Sequence, residues 1–290
     1  MKLAFALAAT ISWMGCGLDT AAPGPGGDDG TVDPGTGTDP GTGSNPGDPG
    51  DGTGAITEVS GHITANTTWT NTIHVIGAVT VDPRVTLTVA PGTTVDVTTS
   101  MGYGITVQGT IDIQGTKASK VVFRSATVGE YWSDITVPRG AVMTASYLVM
   151  TGGGLNLAGK ATIVDSQMSH VGGDLLTMSG GTLDMSYSSI GLETGHDTTH
   201  CNMHVSGNIT IKVTHSNLST ASYGIMFYGG VGADFTYNNW FGNTYDVETK
   251  AAYPVVGDFS FGYFAKGAPS NPGVTAANLA TSRIADAGPR

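Results

Sequence analysis

The chain has 290 residues, of which 44 are glycine and only 12% are charged, and its formal net charge is −11. An acidic chain without a run of Lys and Arg binds nucleic acid and anionic lipid headgroups poorly, so these two partner classes are excluded first. Low charge and abundant glycine are typical of chains with many short strands joined by tight turns.

The first segment, residues 1–15, reads as a bacterial lipoprotein signal peptide. Its apolar run at 3–9 is too short to span a bilayer as a permanent helix. Gly15 and Cys16 resemble the lipobox, although the two residues before them differ from the usual motif. The resemblance implies that Cys16 is lipidated and anchors the chain to a membrane, and Gly17 after it favours the outer membrane or cell surface. The alternative is an ordinary secretory signal with an incidental cysteine.

Residues 16–55 form a Gly-, Pro- and Asp-rich linker with a repeating Asp-Pro-Gly-Thr-Gly unit. Almost nothing in it is apolar, so burial cannot offset the conformational entropy of ordering it, and we predict a disordered tether. For about 36 residues, a coil estimate gives a reach of about 30–35 Å. Its expected role is to hold the next domain away from the membrane.

From residue 61 onward, short runs such as 85–89 and 94–97 alternate apolar and polar side chains, which predicts strands with one buried face. A longer repeat overlies this pattern, in which a polar pair or triplet precedes a large apolar residue. These apolar residues are spaced by 20, 22, 28 and 22 positions and are Leu148, Met168, Ile190, Leu218 and Trp240. The sequence therefore predicts an all-β solenoid over 56–265, a single-stranded right-handed parallel β-helix, followed by a tail or cap at 266–290. Near 275–282 the tail is expected either to form a short helix or to stay loose.

The opening repeats carry three motifs: Thr68-Trp69, then Leu-Thr-Val-Ala-Pro-Gly-Thr-Thr-Val at 87–95, and Val-Gln-Gly-Thr-Ile at 107–111. In this order they resemble the start of bacterial surface right-handed parallel β-helix proteins of the pectin-lyase-like fold. The resemblance covers roughly 61–265 and implies that fold. It leaves function open, because lyases, hydrolases, adhesins and passive surface proteins all share the fold.

The densest group of potential metal ligands lies at 196–204, where the 28-residue interval predicts an inserted loop. Imidazole and thiolate groups are good ligands for zinc or copper, which makes a divalent metal the one candidate cofactor. In a strand that begins at Cys201, residues 201 and 204 would point to opposite faces, so only some of the group could converge. The alternative is a polar turn followed by a strand with Cys201 and Met203 buried. The candidate ligands are His196, His200, Cys201 and His204.

Aromatic residues crowd the last repeats. Flat rings on a solenoid face can stack on sugar rings, so four of them are candidate ligand-binding residues: Tyr228, Tyr237, Trp240 and Tyr245. The alternative is an enlarged core near the C-terminal end of the solenoid, with Phe235 and Trp240 buried.

Catalysis on a polysaccharide is the competing functional class. A lyase needs a basic residue in an acid-rich setting, and a glycoside hydrolase needs paired carboxylates on adjacent coils. Asp165, Asp174 and Asp184 are expected to be isolated turn or coil-edge acids, and no catalytic residue is assigned. The favoured function is a non-catalytic cell-surface lipoprotein that displays a β-helix to a glycan, matrix or envelope partner, or has a structural role. A polysaccharide lyase or hydrolase, and metal binding by 196–204, are the alternatives.

Overall fold

The computed structural model describes residues 56–99, 102–229, 231–250 and 256–290. The chain divides into two units, Met1–Asp51 and Gly52–Arg290, and all described residues belong to the second. The signal peptide, Cys16 and the linker predicted for 1–55 lie outside the described residues. Within the described part there is no helix with the length and apolarity that crossing a bilayer requires.

The described chain winds repeatedly through three strand ladders, which we name face A, face B and face C, in that order until its last turn, which has strands on faces A and B only. Face A is a ten-stranded sheet. Its strands are β2 (Thr67–Trp69), β4 (Thr86–Val89), β7 (Thr110–Gln114), β10 (Val142–Ser146), β13 (Lys160–Val164), β16 (Gly181–Ser186), β19 (Ile209–Thr214), β22 (Val231–Asp234), β25 (Val256–Asp258) and β27 (Val274–Thr275).

Faces B and C share the strands β1 (Ile56–Ile63) and β3 (Thr72–Val81), whose first parts pair on face B and whose last parts pair on face C. Face B continues with β5 (Thr94–Val97), β8 (Val121–Ser125), β11 (Leu148–Thr151), β14 (Gln167–Ser169), β17 (Ser189–Ile190), β20 (Asn217–Ser219), β23 (Asn239–Phe241) and β26 (Tyr263–Phe264). Face C continues with β6 (Ile105–Val107), β9 (Asp134–Val137), β12 (Gly154–Leu157), β15 (Leu176–Met178), β18 (Cys201–Ser206), β21 (Tyr223–Tyr228) and β24 (Tyr245–Thr249).

Each passage through the three faces is one coil, and each strand pairs with the equivalent strands of the neighbouring coils. All of these pairings in the described chain are parallel, from β1 with β3 to β25 with β27. Crossovers between parallel strands are right-handed in almost all proteins. The parallel β-helix predicted from the sequence is thus confirmed.

The interior consists of columns in which equivalent residues of successive coils stack on each other. From β3 onward the column on face B is apolar and buried: Ile73, Val95, Phe123, Met150, Met168, Ile190, Leu218, Trp240 and Phe264. The repeat read from the sequence is correct for the last four of its five residues. It is wrong at Leu148, because the residue in the column is Met150 and Leu148 pairs with Val121.

A polar ladder explains that error. At the corner between faces A and B, Leu148 occupies the position that is serine in the next coils, and its N–H donates to Ser166 Oγ at 3.1 Å. The N–H of Ser166 donates in turn to Ser188 Oγ, and the N–H of Ser188 to Ser216 Oγ, each at 3.1 Å. The last hydrogen bond of this ladder is donated by the N–H of Ser216 to Asn238 Oδ1 at 2.8 Å. The ladder satisfies buried backbone N–H groups at a corner where strand pairing is interrupted.

The C-terminal residues 276–290, which we name the C-terminal strap, run back over five earlier coils. The helix considered for 275–282 is wrong, because the backbone groups of this segment bond to the coils instead of to each other. Four hydrogen-bonded contacts fix its path, joining Ala277 with Phe261, Ile284 with Asn239, Gly288 with His215 and Arg290 with Asp165.

Arg290 makes the last of these contacts. Its guanidinium donates to both carboxylate oxygens of Asp165 at 2.9 Å and lies 3.8 Å from the centre of the Tyr187 ring. These bonds lower the pKa of Asp165 below its ordinary value despite its burial. Asp165, expected to be an isolated turn acid, is therefore the anchor of the strap.

Candidate functional site

Three of the four predicted metal ligands, His200, Cys201 and His204, are brought together on the outer side of face C. His200 lies directly before β18, and Cys201 and His204 lie within it. Asp174 lies two residues before β15, the neighbouring strand. Met226 comes from β21 on the other side, where it is in register with His204. The group therefore draws on three successive coils and is accessible from solvent through His200 and His204, which are 54% and 33% exposed.

Asp174 is the centre of the group. Its two carboxylate oxygens lie 2.9 Å from His200 Nδ1 and 2.5 Å from His204 Nδ1. Cys201 Sγ lies 3.3 Å from His200 Nδ1 and 3.0 Å from Met226 Sδ. Donor atoms of Asp174, Cys201 and His204 all lie within 4.8 Å of one another. We name these five residues the face C cluster.

Backbone pairing holds Asp174 in place. The N–H of His200 donates to the carbonyl of Gly173, and the N–H of Leu175 donates to the carbonyl of Cys201, each at 2.8 Å. The residues on either side of Asp174 are thus tied to the start of β18. A site whose backbone is fixed in this way needs little reorganisation when a ligand binds.

Cys201 and His204 face the same side, which the sequence did not predict. Strict alternation in β18 would place them on opposite faces. Asn202 breaks the alternation, because its side chain turns inward and donates to the carbonyl of Ser219 at 2.9 Å. Met203 is also fully buried in the core. Because Asn202 and Met203 both point inward, His204 lies on the outer side, the same side as Cys201.

The protonation of the cluster follows from burial and hydrogen bonding. Burial raises the pKa of Asp174, but hydrogen bonds from His200, His204 and Cys201 outweigh it and hold that pKa below its ordinary value. Burial and the Asp174 carboxylate raise the pKa of the Cys201 thiol far above its usual range. The thiol is thus a poor nucleophile at neutral pH, and a metal ion that binds it must displace its proton.

His196 does not join the cluster. It is exposed in the loop 191–200, which contains the extra residues implied by the 28-residue interval. Cys201 and His204 belong to the strand after this loop, so the predicted position of the group was only partly right. Asp197, in the same loop, is buried and accepts the backbone N–H of His170 at 2.9 Å, which indicates a structural role.

Sequence reasoning missed Asp174 and Met226. Asp174 was expected to be isolated, and Met226 was not considered. A signal in the repeat spacing was present for Met226 alone, because His204 aligns with Thr177, 27 residues before it, and with Met226, 22 residues after it. These separations are close to the 28- and 22-residue intervals of the apolar repeat.

The four aromatic candidates lie at three different places. Tyr228 and Tyr245 are on face C, Tyr237 is at the corner between faces A and B, and Trp240 is fully buried in the core. Trp240 points inward, into the inner column of face B. It therefore cannot contact a ligand at the surface.

The exposed rings mostly stack on each other. Tyr237 lies between His215 and Phe261, with ring centres at 5.0 and 4.9 Å and nearly parallel planes. Tyr245 stacks on Tyr223 at 5.2 Å. Tyr237, covered on both ring faces, presents its edge to solvent, whereas a sugar needs a free ring face. Glycan binding through these residues thus stays a prediction from the sequence, without added support from this geometry.

Among the described residues, two carboxyl groups have a pKa raised above the ordinary value, as a general acid would need. Burial raises the pKa of Asp134 and also that of Asp246. They lie in β9 and β24, five strands apart in the face C ladder, which is about 24 Å at roughly 4.8 Å per strand. The paired carboxylates of glycoside hydrolases are about 5–9.5 Å apart, so this pair does not form such a site.

Comparison with known proteins adds no family to these observations: no protein-family model, curated protein or solved structure matches the chain significantly. The fold rests on the strand pairing, and the functional interpretation rests on the face C cluster.

Proposed function

We propose that the protein acts by binding and not by catalysis, and that its face C cluster binds a transition-metal ion. The observation that supports this is the convergence of a carboxylate, a thiol and an imidazole within 4.8 Å, drawn from two coils. Oxygen, sulfur and nitrogen donors in one small group suit zinc or copper, whereas magnesium and calcium prefer oxygen alone.

The spacing of the donor atoms fits such an ion. Zinc binds sulfur at about 2.3 Å and nitrogen or carboxylate oxygen at about 2.0–2.2 Å, so tetrahedral ligand atoms lie roughly 3.3–3.8 Å apart. Donors within 4.8 Å reach this arrangement through small side-chain rotations. His200, beside Asp174 and Cys201, can provide a further ligand or orient the carboxylate.

Zinc affinity tests this proposal. The full chain is produced with Cys16→Ser, so that Cys201 is its only thiol, and titrated with Zn²⁺ against a chromophoric chelator. We expect binding of one ion, and we expect His204→Ala to lower the affinity by about a hundredfold, since removal of even an indirect metal contact costs 10–100-fold. Cobalt provides a spectroscopic check, because a thiolate-to-Co²⁺ band should appear and be lost in Cys201→Ser.

A matched control is available on the same face. His62 Nδ1 lies 2.6 Å from Asp82 Oδ1, a His–Asp pair at the surface that belongs to no group of three donors in the described chain. His62→Ala should leave zinc affinity unchanged. Equal affinities for the unsubstituted cluster and the His204→Ala variant would show that the cluster is a hydrogen-bond network and not a metal site.

Display at the bacterial surface is the second part of the proposal. The lipobox-like Gly15-Cys16 and the Asp-Pro-Gly-Thr-Gly linker support a lipid-anchored domain held away from the membrane. Growth of the host with a labelled fatty acid should label the protein, and Cys16→Ser should abolish the label. A labelled Cys16→Ser variant, or an unlabelled parent chain, would reject the anchor.

A further inference from the structure

Met226 occupies an unusual position within the face C cluster. Its residue column on the outside of face C is otherwise polar, and β-strand side chains that face solvent normally are. In order along the ladder, this column contains His62, Thr80, Thr106, Thr136, Asn156, Thr177, His204, Met226 and Glu248. Met226 is the one apolar side chain in it.

The thioether of Met226 is directed at the cluster. Its Sδ lies 3.0 Å from Cys201 Sγ, and the Met226 side chain is only 7% exposed. His204 precedes it in the column, and His200 Nδ1 lies 3.3 Å from the same cysteine sulfur. Met226, the apolar residue of an otherwise polar outer column, therefore places its side-chain sulfur against the thiol of Cys201 in the proposed site.

A thiol and a thioether together favour one class of metal. Cuprous copper prefers soft sulfur ligands, whereas zinc binds thiolate, imidazole and carboxylate readily and gains little from a thioether. Met226 thus adds a soft donor that favours Cu(I), whereas the imidazole of His204 suits both ions and the carboxylate of Asp174 is the donor that favours zinc.

We propose that the face C cluster selects Cu(I) over Zn²⁺, with Met226 as the selecting ligand beside Cys201. This inference rests on the proposed metal-binding function and specifies its ligand. No electron transfer is required of the protein, because the ion binds in its reduced form.

Competition titrations test the selectivity. The full chain with Cys16→Ser is titrated with Cu(I), kept reduced by ascorbate under nitrogen, against a chromophoric Cu(I) chelator, and separately with Zn²⁺. Met226→Leu keeps side-chain volume and apolar character. It should lower Cu(I) affinity by roughly tenfold or more while changing zinc affinity by less than about threefold. Met185→Leu, a fully buried methionine on face A, should change neither affinity.

X-ray absorption at the copper edge separates ligation from an indirect effect. Sulfur scatterers from both Cys201 and Met226 should be present in the parent chain, and the Met226→Leu variant should lose one of them. If Met226→Leu leaves Cu(I) affinity and sulfur scattering unchanged while zinc binds, the selectivity is wrong and metal binding stands. If the parent chain binds neither ion, the proposed function itself fails.

Discussion

Replacing Trp240 with alanine is expected to lower the free energy of unfolding by about 3–5 kcal/mol, the usual cost of removing a fully buried aromatic side chain. Trp240 has no exposed surface and stacks on Phe264 with ring centres 5.6 Å apart and planes within 4°. It also contacts Phe235 and Phe259 at 5.8 and 5.6 Å. Its removal leaves a cavity at the C-terminal end of the inner column, where few neighbours can move to fill it.

Tyr237→Ala is the matched control, three residues earlier at the outer corner. Tyr237 is 40% exposed and stacks on His215 and Phe261, so its loss should cost about 1 kcal/mol. Urea unfolding followed by far-ultraviolet circular dichroism measures both variants. Similar losses for the two would mean that Trp240 is not part of the packed interior, and would restore it as a candidate for ligand contact at the surface.

Gly181→Ala is expected to destabilise the protein by roughly 3 kcal/mol or more, through backbone conformation and close contact together. Gly181 has a φ of 77°, which residues with a Cβ rarely adopt. An added Cβ would lie 1.8 Å from the carbonyl oxygen of Gly159 in the preceding coil. That oxygen accepts the N–H of Thr182 at 2.9 Å, so neither backbone can move without loss of a ladder hydrogen bond.

Gly232→Ala provides the comparison in β22 of the same face. An added Cβ there meets nothing within 4 Å, and the backbone φ lies in the ordinary range. We expect unchanged or slightly higher stability, since alanine restricts the unfolded chain. Thermal unfolding of both variants distinguishes the effect of a close coil contact from that of an added methyl group. A Gly181→Ala variant as stable as Gly232→Ala would show that the coils are not packed this closely.

The sequence by itself determined the fold. Alternation at period two indicates which side chains of each strand face inward. The 22- and 28-residue spacings indicate how many residues each coil contains. Ile190, Leu218 and Trp240 consequently reach the same inner column that their spacing predicts. These patterns are local or recur at similar intervals along the chain, so reading them requires no knowledge of which coils meet.

Only the tertiary structure decided the site. Asp174 and Met226 lie 27 residues before and 25 residues after Cys201 in the chain, and the cluster exists because coil stacking places them beside it. The inward turn of Asn202 is equally invisible in the sequence, since it depends on acceptors in other coils. A periodic pattern fixes which residues share a face, but contacts between particular side chains depend on register and local irregularity, and these arise only when the coils pack.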